Sequence, residues 1–164
     1  MTTSENTVID DELRSFIGLE TKPATYEIEK HAVARFACAI GDPNPVSWDE
    51  VAARKSSYGG LIAPPTFLRS LLAGDLPKPY PEPFAHVLDG GSSYRFFEPV
   101  RVGDRITVTR KIVDLFEKHG RMGTMLFKIS ETSYVNQLGQ LAATQTTTTI
   151  TYGTGEKDPG VGDH

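Results

Sequence analysis

Apolar residues recur along this chain with two periods, and the change falls near residue 84. Before it, Val33, Phe36, Ala37 and Ile40 stand at i, i+3, i+4 and i+7, which puts them on one helical face. Gly41 follows where a helix end favours a left-handed residue. A short helix is predicted from Asp10 to Phe16, stopped by Gly18, and a first strand over 24–28. Another short helix begins at Trp48 or Asp49 and runs through Val51, Ala52 and Ala53. A third is announced by Pro64-Pro65-Thr66, since proline is tolerated in a first helical turn. There Phe67, Leu68, Leu71 and Leu72 share a face and Gly74 is the stop. Residues 75–83 contain four prolines and read as a loop.

From residue 84 onward the period is two. Ile106, Val108 and Ile112 alternate with Thr107, Thr109 and Lys111 on a long strand. Glu117-Lys118-His119-Gly120 reads as a hairpin turn, and Met125, Phe127 and Ile129 alternate on the return strand. Asn136-Gln137-Leu138-Gly139 makes the next turn, and Leu141 to Tyr152 the last strand, where threonines 146–149 suit one wet face. Long antiparallel strands after one apolar helix predict an α+β fold with a curled sheet wrapped around that helix.

The 164 residues suit a single domain with a real core, expected over 10–152. Residues 1–9 are polar and 153–164 are rich in Gly, Asp and Pro, so both ends are expected to be flexible. No apolar run approaches the roughly 18 residues of a membrane span, and the N-terminus carries no secretory signal pattern. Cys38 is the single cysteine, which excludes an internal disulfide and fits a cytoplasmic location. A net charge of −4 argues against a nucleic-acid or anionic-membrane surface. An anionic ligand held by a few local cations stays open.

Three segments carry a family resemblance. Phe36-Ala37-Cys38-Ala39-Ile40-Gly41-Asp42-Pro43-Asn44-Pro45 is similar to the Phe-Ala-x-x-x-Gly-Asp-x-Asn-Pro-x-His segment of MaoC-like hydratases. Gly60-Leu61-Ile62-Ala63 resembles the segment that opens their central helix. Phe97-Glu98-Pro99-Val100-Arg101-Val102-Gly103-Asp104 resembles their strand entry. Order and spacing agree from about residue 16 to 152. The resemblance implies a hot-dog fold, pairing of two such folds, and acyl-thioester sites at their interface. It implies reversible addition of water to a 2-enoyl thioester, carried on coenzyme A or acyl-carrier protein. No metal or redox cofactor is expected.

Hydration of an enoyl thioester needs a base for water, an acid for the α-carbon, and donors for the thioester oxygen. The family supplies the first two with Asp and His in Asp-x-Asn-Pro-x-His, and the third with a backbone N–H at the helix entry. This chain keeps Asp42 and Asn44 but has Ser47 at the histidine position. At the helix entry it has Pro64-Pro65, and proline carries no N–H. The pair of departures resembles the N-terminal, non-catalytic half of MaoC-like dehydratases, whose Gly-Leu-x-Ala-Pro-x-Thr-Phe entry matches Gly60 to Phe67. That half shapes the acyl channel beside a catalytic subunit. The implied substrate-binding set is Asp42, Asn44, Ser47, Gly60, Leu61, Ala63, Pro64, Pro65 and Thr66, with no complete catalytic set. The expected assembly is a hetero-oligomer with a catalytic MaoC-like subunit, or a homodimer. A hot-dog thioesterase using Asp42 or Glu50, and a non-enzymatic thioester-binding homodimer, are the alternatives.

Plainer readings stand beside these. Asp42 can brace the loop after Gly41, and Asn44-Pro45 is a turn signal. Ser47 can cap a helix from Trp48, with Glu50 completing a capping box. His31 and His119 read as solvated and His164 lies in the tail, so His86 is the one histidine placed to face a cleft. Tyr94, Phe96 and Phe97 read as packing for the sheet or a dimer face. Arg54, Lys55, Arg69 and Lys78 flank the site segments as solvated cations or phosphate contacts.

Overall fold

The structure is a computed structural model that describes residues 7–121 and 123–153. The period-two half of the chain forms four long strands: β2 (His86–Phe96), β3 (Arg105–Gly120), β4 (Gly123–Val135) and β5 (Leu141–Tyr152). With β1 (Ala24–Glu27) they make one antiparallel sheet in the order β1-β3-β4-β5-β2, leaving β1 and β2 as its edges. The helical half supplies α1 (Asp11–Arg14), α2 (Lys30–Ala39) and α3 (Glu50–Lys55).

Two apolar clusters hold these elements on the inner face of the sheet. One joins Val33 of α2 and Phe67, Leu68 and Leu71 to Ile106, Val108, Tyr134 and Ala143. The other joins Ile9, Leu13 and Phe16 to Ile112, Leu115 and Leu126. Ile9 is therefore packed, although the polar N-terminus was expected to be loose through residue 9. Its N–H donates to Glu117 Oε1 at 2.8 Å, which anchors this end of the chain on β3. The expected C-terminal tail lies outside the described residues from 154 onward.

The central helix departs from the sequence expectation. Residues 65–70 form a 3-10 helix of six residues, and Leu71 is already extended. At three residues per turn, Phe67, Leu68 and Leu71 stay on the buried side while Leu72 rotates away; Leu72 is 65% exposed. The Ser70 hydroxyl bonds back to the Phe67 carbonyl at 2.7 Å and the proline-rich loop follows, so the helix has no room to lengthen. The longest helix is α2, and its C-cap residue Ile40 is exposed rather than on the packed face.

Two further differences lie in the strands. Residues 117–120, expected to turn, continue β3 instead: Gly120 pairs with Gly123, and Phe116 stacks on Phe127 at 4.9 Å. That aromatic pair and the Glu117 anchor reward two more rungs of strand. On β4 the apolar series Met125, Phe127 and Ile129 is only half-buried, on the outer face. The inner face carries Leu126, Lys128, Ser130, Thr132 and Tyr134.

Candidate functional site

The three motif segments meet in space. Helix α2 ends in a Schellman arrangement: Gly41 has φ 67°, its N–H donates to Cys38 O at 3.1 Å, and the Asp42 N–H donates to Ala37 O at 2.9 Å. Asp42 Oδ1 accepts from Asn44 N–H at 2.9 Å, and Asn44 caps a 3-10 turn over Pro45–Ser47. This loop is clamped to the second motif. Ile62 N–H donates to Val46 O at 3.1 Å, and the Ser47 hydroxyl donates to Ile62 O at 2.8 Å. The third motif closes the other side: Ala63 N–H donates to Val100 O at 2.8 Å and Val102 N–H to Leu61 O at 3.1 Å. Asp104 is buried and braces that segment, accepting from Arg101 N–H at 2.8 Å and from Gln137 Nε2 at 2.9 Å.

Ser47 does not cap α3. It is 2% exposed and spends its hydroxyl on Ile62. The cap is Asp49, whose Oδ1 accepts from Val51 and Ala52 N–H at 2.9 and 3.1 Å. Pro64 is buried, and Pro65 and Thr66 are exposed at the helix entry. Glu50 is paired with Lys30 at 2.6 Å, which holds its carboxyl below the usual range.

Two cavities lie near these segments. The smaller, about 210 Å³, is lined by Lys30, Glu50, Arg54, Gly59, Gly60, Leu61 and Val102. Of the expected site residues it contains Gly60 and Leu61; Asp42, Asn44, Ser47, Ala63, Pro64, Pro65 and Thr66 line neither cavity. The larger, about 580 Å³, opens on the inner face of the sheet between the two apolar clusters. Arg69, Leu71, Leu72, Tyr80, Arg110, Lys128, Ser130, Tyr134, Gln145, Thr147 and Thr149 are among its walls. Its volume is that of a small-molecule site.

Strand register explains why the sheet wall of this cavity is polar. Three adjacent rungs cross the sheet there: Arg110–Thr132–Gln145–Tyr94, Ile112–Ser130–Thr147–Ser92, and Leu115–Lys128–Thr149–Asp89. Only Ile112 and Leu115 lack a polar side-chain atom. Part of this belt is internally bonded. Tyr134 OH donates to Gln145 Oε1 at 2.8 Å, Gln145 Nε2 to Ser92 Oγ at 3.2 Å, and Arg110 Nε to Thr132 Oγ1 at 3.2 Å. Burial pushes the Tyr80 and Tyr134 phenols up to about 12. Sequence reasoning missed this wall except for Arg69. The signal was present as Arg110, the polar member of the series Ile106, Val108, Arg110, Ile112.

Among the described residues no histidine lines either cavity. His31 is exposed on α2, His119 contacts Thr124 Oγ1 at 3.1 Å, and His86 stacks on Tyr152 at 5.1 Å. Lys78 lies over the Phe16 ring at 4.3 Å, and Phe96 and Phe97 are about half exposed on or beside the β2 edge. Among the described residues no group of His, Cys, Asp and Glu is arranged to hold a metal ion, and no helix is long and apolar enough to cross a membrane.

Comparison with known proteins adds the relationships. A "UPF0336 protein" of Saccharopolyspora erythraea is 31% identical over 154 residues, covering 90% of this chain and 96% of its own. A "UPF0336 protein" of Streptomyces avermitilis is 36% identical over 105 residues, covering 60% of this chain and 70% of its own. Among solved structures, the ChsH1-ChsH2 complex from Mycobacterium tuberculosis matches with a TM-score of 0.75 at 16% identity, over 93% of this chain and 96% of that one. The (R)-hydratase from A. caviae involved in PHA biosynthesis matches at 0.63 and 23%, over 81% and 94%. The HadBC (3R-hydroxyacyl-ACP dehydratase) complex from Mycobacterium tuberculosis matches at 0.64 and 21%, over 82% and 96%. The family described as "FAS1-like, dehydratase domain region" matches residues 15–145. With that span and the meeting of its three motifs, the chain belongs to this dehydratase family and carries the hot-dog fold of the MaoC-like dehydratases.

Proposed function

We propose that this chain is the non-catalytic subunit of an enoyl-thioester hydratase or 3-hydroxyacyl-thioester dehydratase, shaping the acyl channel beside a MaoC-like partner that supplies Asp and His. The observation that carries the reading is Ser47. It stands where the resemblance places the histidine, it is 2% exposed, and its hydroxyl is committed to the Ile62 carbonyl. A serine so placed activates no water. Pro64 and Pro65 remove the backbone donors of the helix entry as well. The substrate is an acyl thioester of coenzyme A or acyl-carrier protein, and the reaction asks for no metal or redox cofactor.

A partner suits the exposed surface. Strand β2 is an open edge with Val87, Leu88 and Phe96 exposed, and Ile40, Trp48, Val51 and Tyr58 are exposed around the clamped loop. Two of the structural matches are two-component complexes. The thioesterase alternative is disfavoured, because Asp42 is engaged in its own turn and Glu50 is paired with Lys30.

Two measurements test the proposal. The purified chain alone is expected to hydrate crotonyl-CoA no faster than a control protein. Co-expressed with a neighbouring gene that encodes Asp-x-Asn-Pro-x-His, it is expected to form a complex with robust hydratase activity. Turnover by a verified homo-oligomer of this chain overturns the non-catalytic assignment.

A further inference from the structure

The 580 Å³ cavity has the wrong walls for a plain hydrocarbon tail. The inner face of a sheet that only packs alkyl groups is apolar, as it is here in the rung Val108–Tyr134–Ala143–Phe96, apart from the tyrosine hydroxyl. Between the two apolar clusters the chain instead places Arg110, Lys128, Ser130 and Thr149 side by side. Lys128 is already paired with Glu82 at 2.8 Å, and Arg69 lies 3.6 Å from Asp89. Arg110 is different. Its Nε bonds Thr132, and among the described residues its guanidinium has no carboxylate partner. The Tyr80 hydroxyl, in the same wall, is buried with no hydrogen-bond partner.

We infer that this cavity receives an acyl group bearing a hydrogen-bond-accepting oxygen, a carboxylate or a ketone, away from the thioester, with Arg110 and Tyr80 as the donors that read it. The inference rests on the thioester-binding reading above and deepens it. A saturated tail entering here displaces water from Arg110 and leaves the Tyr80 hydroxyl still without an acceptor, which loses affinity. An oxygen at that depth replaces the water. The apolar clusters on either side accommodate the methylene segments.

The test is calorimetric titration of the full chain with coenzyme A, hexanoyl-CoA, adipoyl-CoA and 5-oxohexanoyl-CoA. One or both oxygen-bearing thioesters are expected to bind about tenfold tighter than hexanoyl-CoA. Adipoyl-CoA alone binding tighter assigns a carboxylate; 5-oxohexanoyl-CoA doing so assigns a neutral acceptor. In Arg110→Met, checked for folding by circular dichroism, the preference is expected to vanish, the oxygen-bearing thioesters binding more weakly than in the parent and hexanoyl-CoA no more weakly. Tyr80→Phe is the second variant should Arg110→Met fail to fold, and it is expected to weaken the same preference. Hexanoyl-CoA binding as tightly as both others, or a preference that survives in a folded variant at both positions, overturns the inference and leaves the thioester reading standing. No thioester binding tighter than coenzyme A itself overturns the thioester reading, and the inference with it.

Discussion

The Ser47 hydroxyl donates to the carbonyl of Ile62 at 2.8 Å, and Ile62 returns its N–H to Val46 at 3.1 Å. This reciprocal clamp joins the Asp42–Ser47 loop to the Gly60–Ala63 segment. Ser47→Ala leaves a carbonyl unpaired in a partly buried setting, and about 1 kcal/mol of stability is expected to be lost in urea denaturation. Ser47→His is expected to lose more, because an imidazole overfills a site that is 2% exposed. It is not expected to gain crotonyl-CoA hydration, alone or with Pro65→Gly. Hydratase turnover by either variant would place an imidazole within reach of substrate and contradict this geometry.

The two aspartates of this region separate by role. Asp49 caps α3 through two backbone N–H groups, so Asp49→Ala is expected to cost about 1 kcal/mol. Asp42 holds one bond in an Asx turn, and Asp42→Ala is expected to cost less than half as much. Thermal denaturation of both variants checks the order, and a larger loss at Asp42 would contradict its confinement to a single turn bond.

Glycines 74 and 60 give a steric contrast. A Cβ at Gly74 would sit 2.2 Å from the backbone carbonyl oxygen of Lys22, while one at Gly60 meets nothing within 4 Å. Gly74→Ala is therefore expected to destabilise by about 1–3 kcal/mol through forced backbone movement. Gly60→Ala is expected to stay within about 0.5 kcal/mol of the parent. Matched denaturation curves decide it.

Alkaline pH should weaken the fold in a defined window. Burial holds the Tyr134 phenol at about 12, with nearby Tyr94 acting in the same direction and Arg110 and Arg69 opposing. An unfolded tyrosine ionises near 10. The folded state thus keeps the proton longer. The stability linked to this group is complete below about pH 10 and is lost as pH rises through about 12. The loss is expected to reach at most about 3 kcal/mol, about two pKa units at about 1.4 kcal/mol each, and less where solvent screens the group. Tyr134→Phe is expected to flatten the fall in denaturation midpoint between those values, and phenolate absorbance in the folded parent should lag that of the unfolded chain.

Much of this protein was legible in its residues. The i, i+3, i+4 spacing of Val33, Phe36 and Ala37 located α2, Gly41 marked its left-handed end, and Asn136 to Gly139 marked a hairpin, because these are local conformational preferences that need no distant partner. The order of three motifs carried the family. Their meeting in space was not local, and neither was the cap. Asp49 and Ser47 are both good N-cap residues, and only the bond to Ile62 takes Ser47 out of the contest.

By itself, then, the sequence determined the α+β class, the order of helices and strands, and the absence of histidine at position 47. Tertiary structure decided the rest. It set a short 3-10 segment at 65–70, because the chain must leave toward the proline loop after Leu71. It set which face of β4 is inner, because period two marks alternation but not direction, and a strand with apolar residues on one face and Lys128, Ser130 and Thr132 on the other is oriented only by its neighbours. The polar wall of the large cavity exists because β3, β4, β5 and β2 align their polar positions in register, a coincidence of four strands that no single stretch of sequence contains.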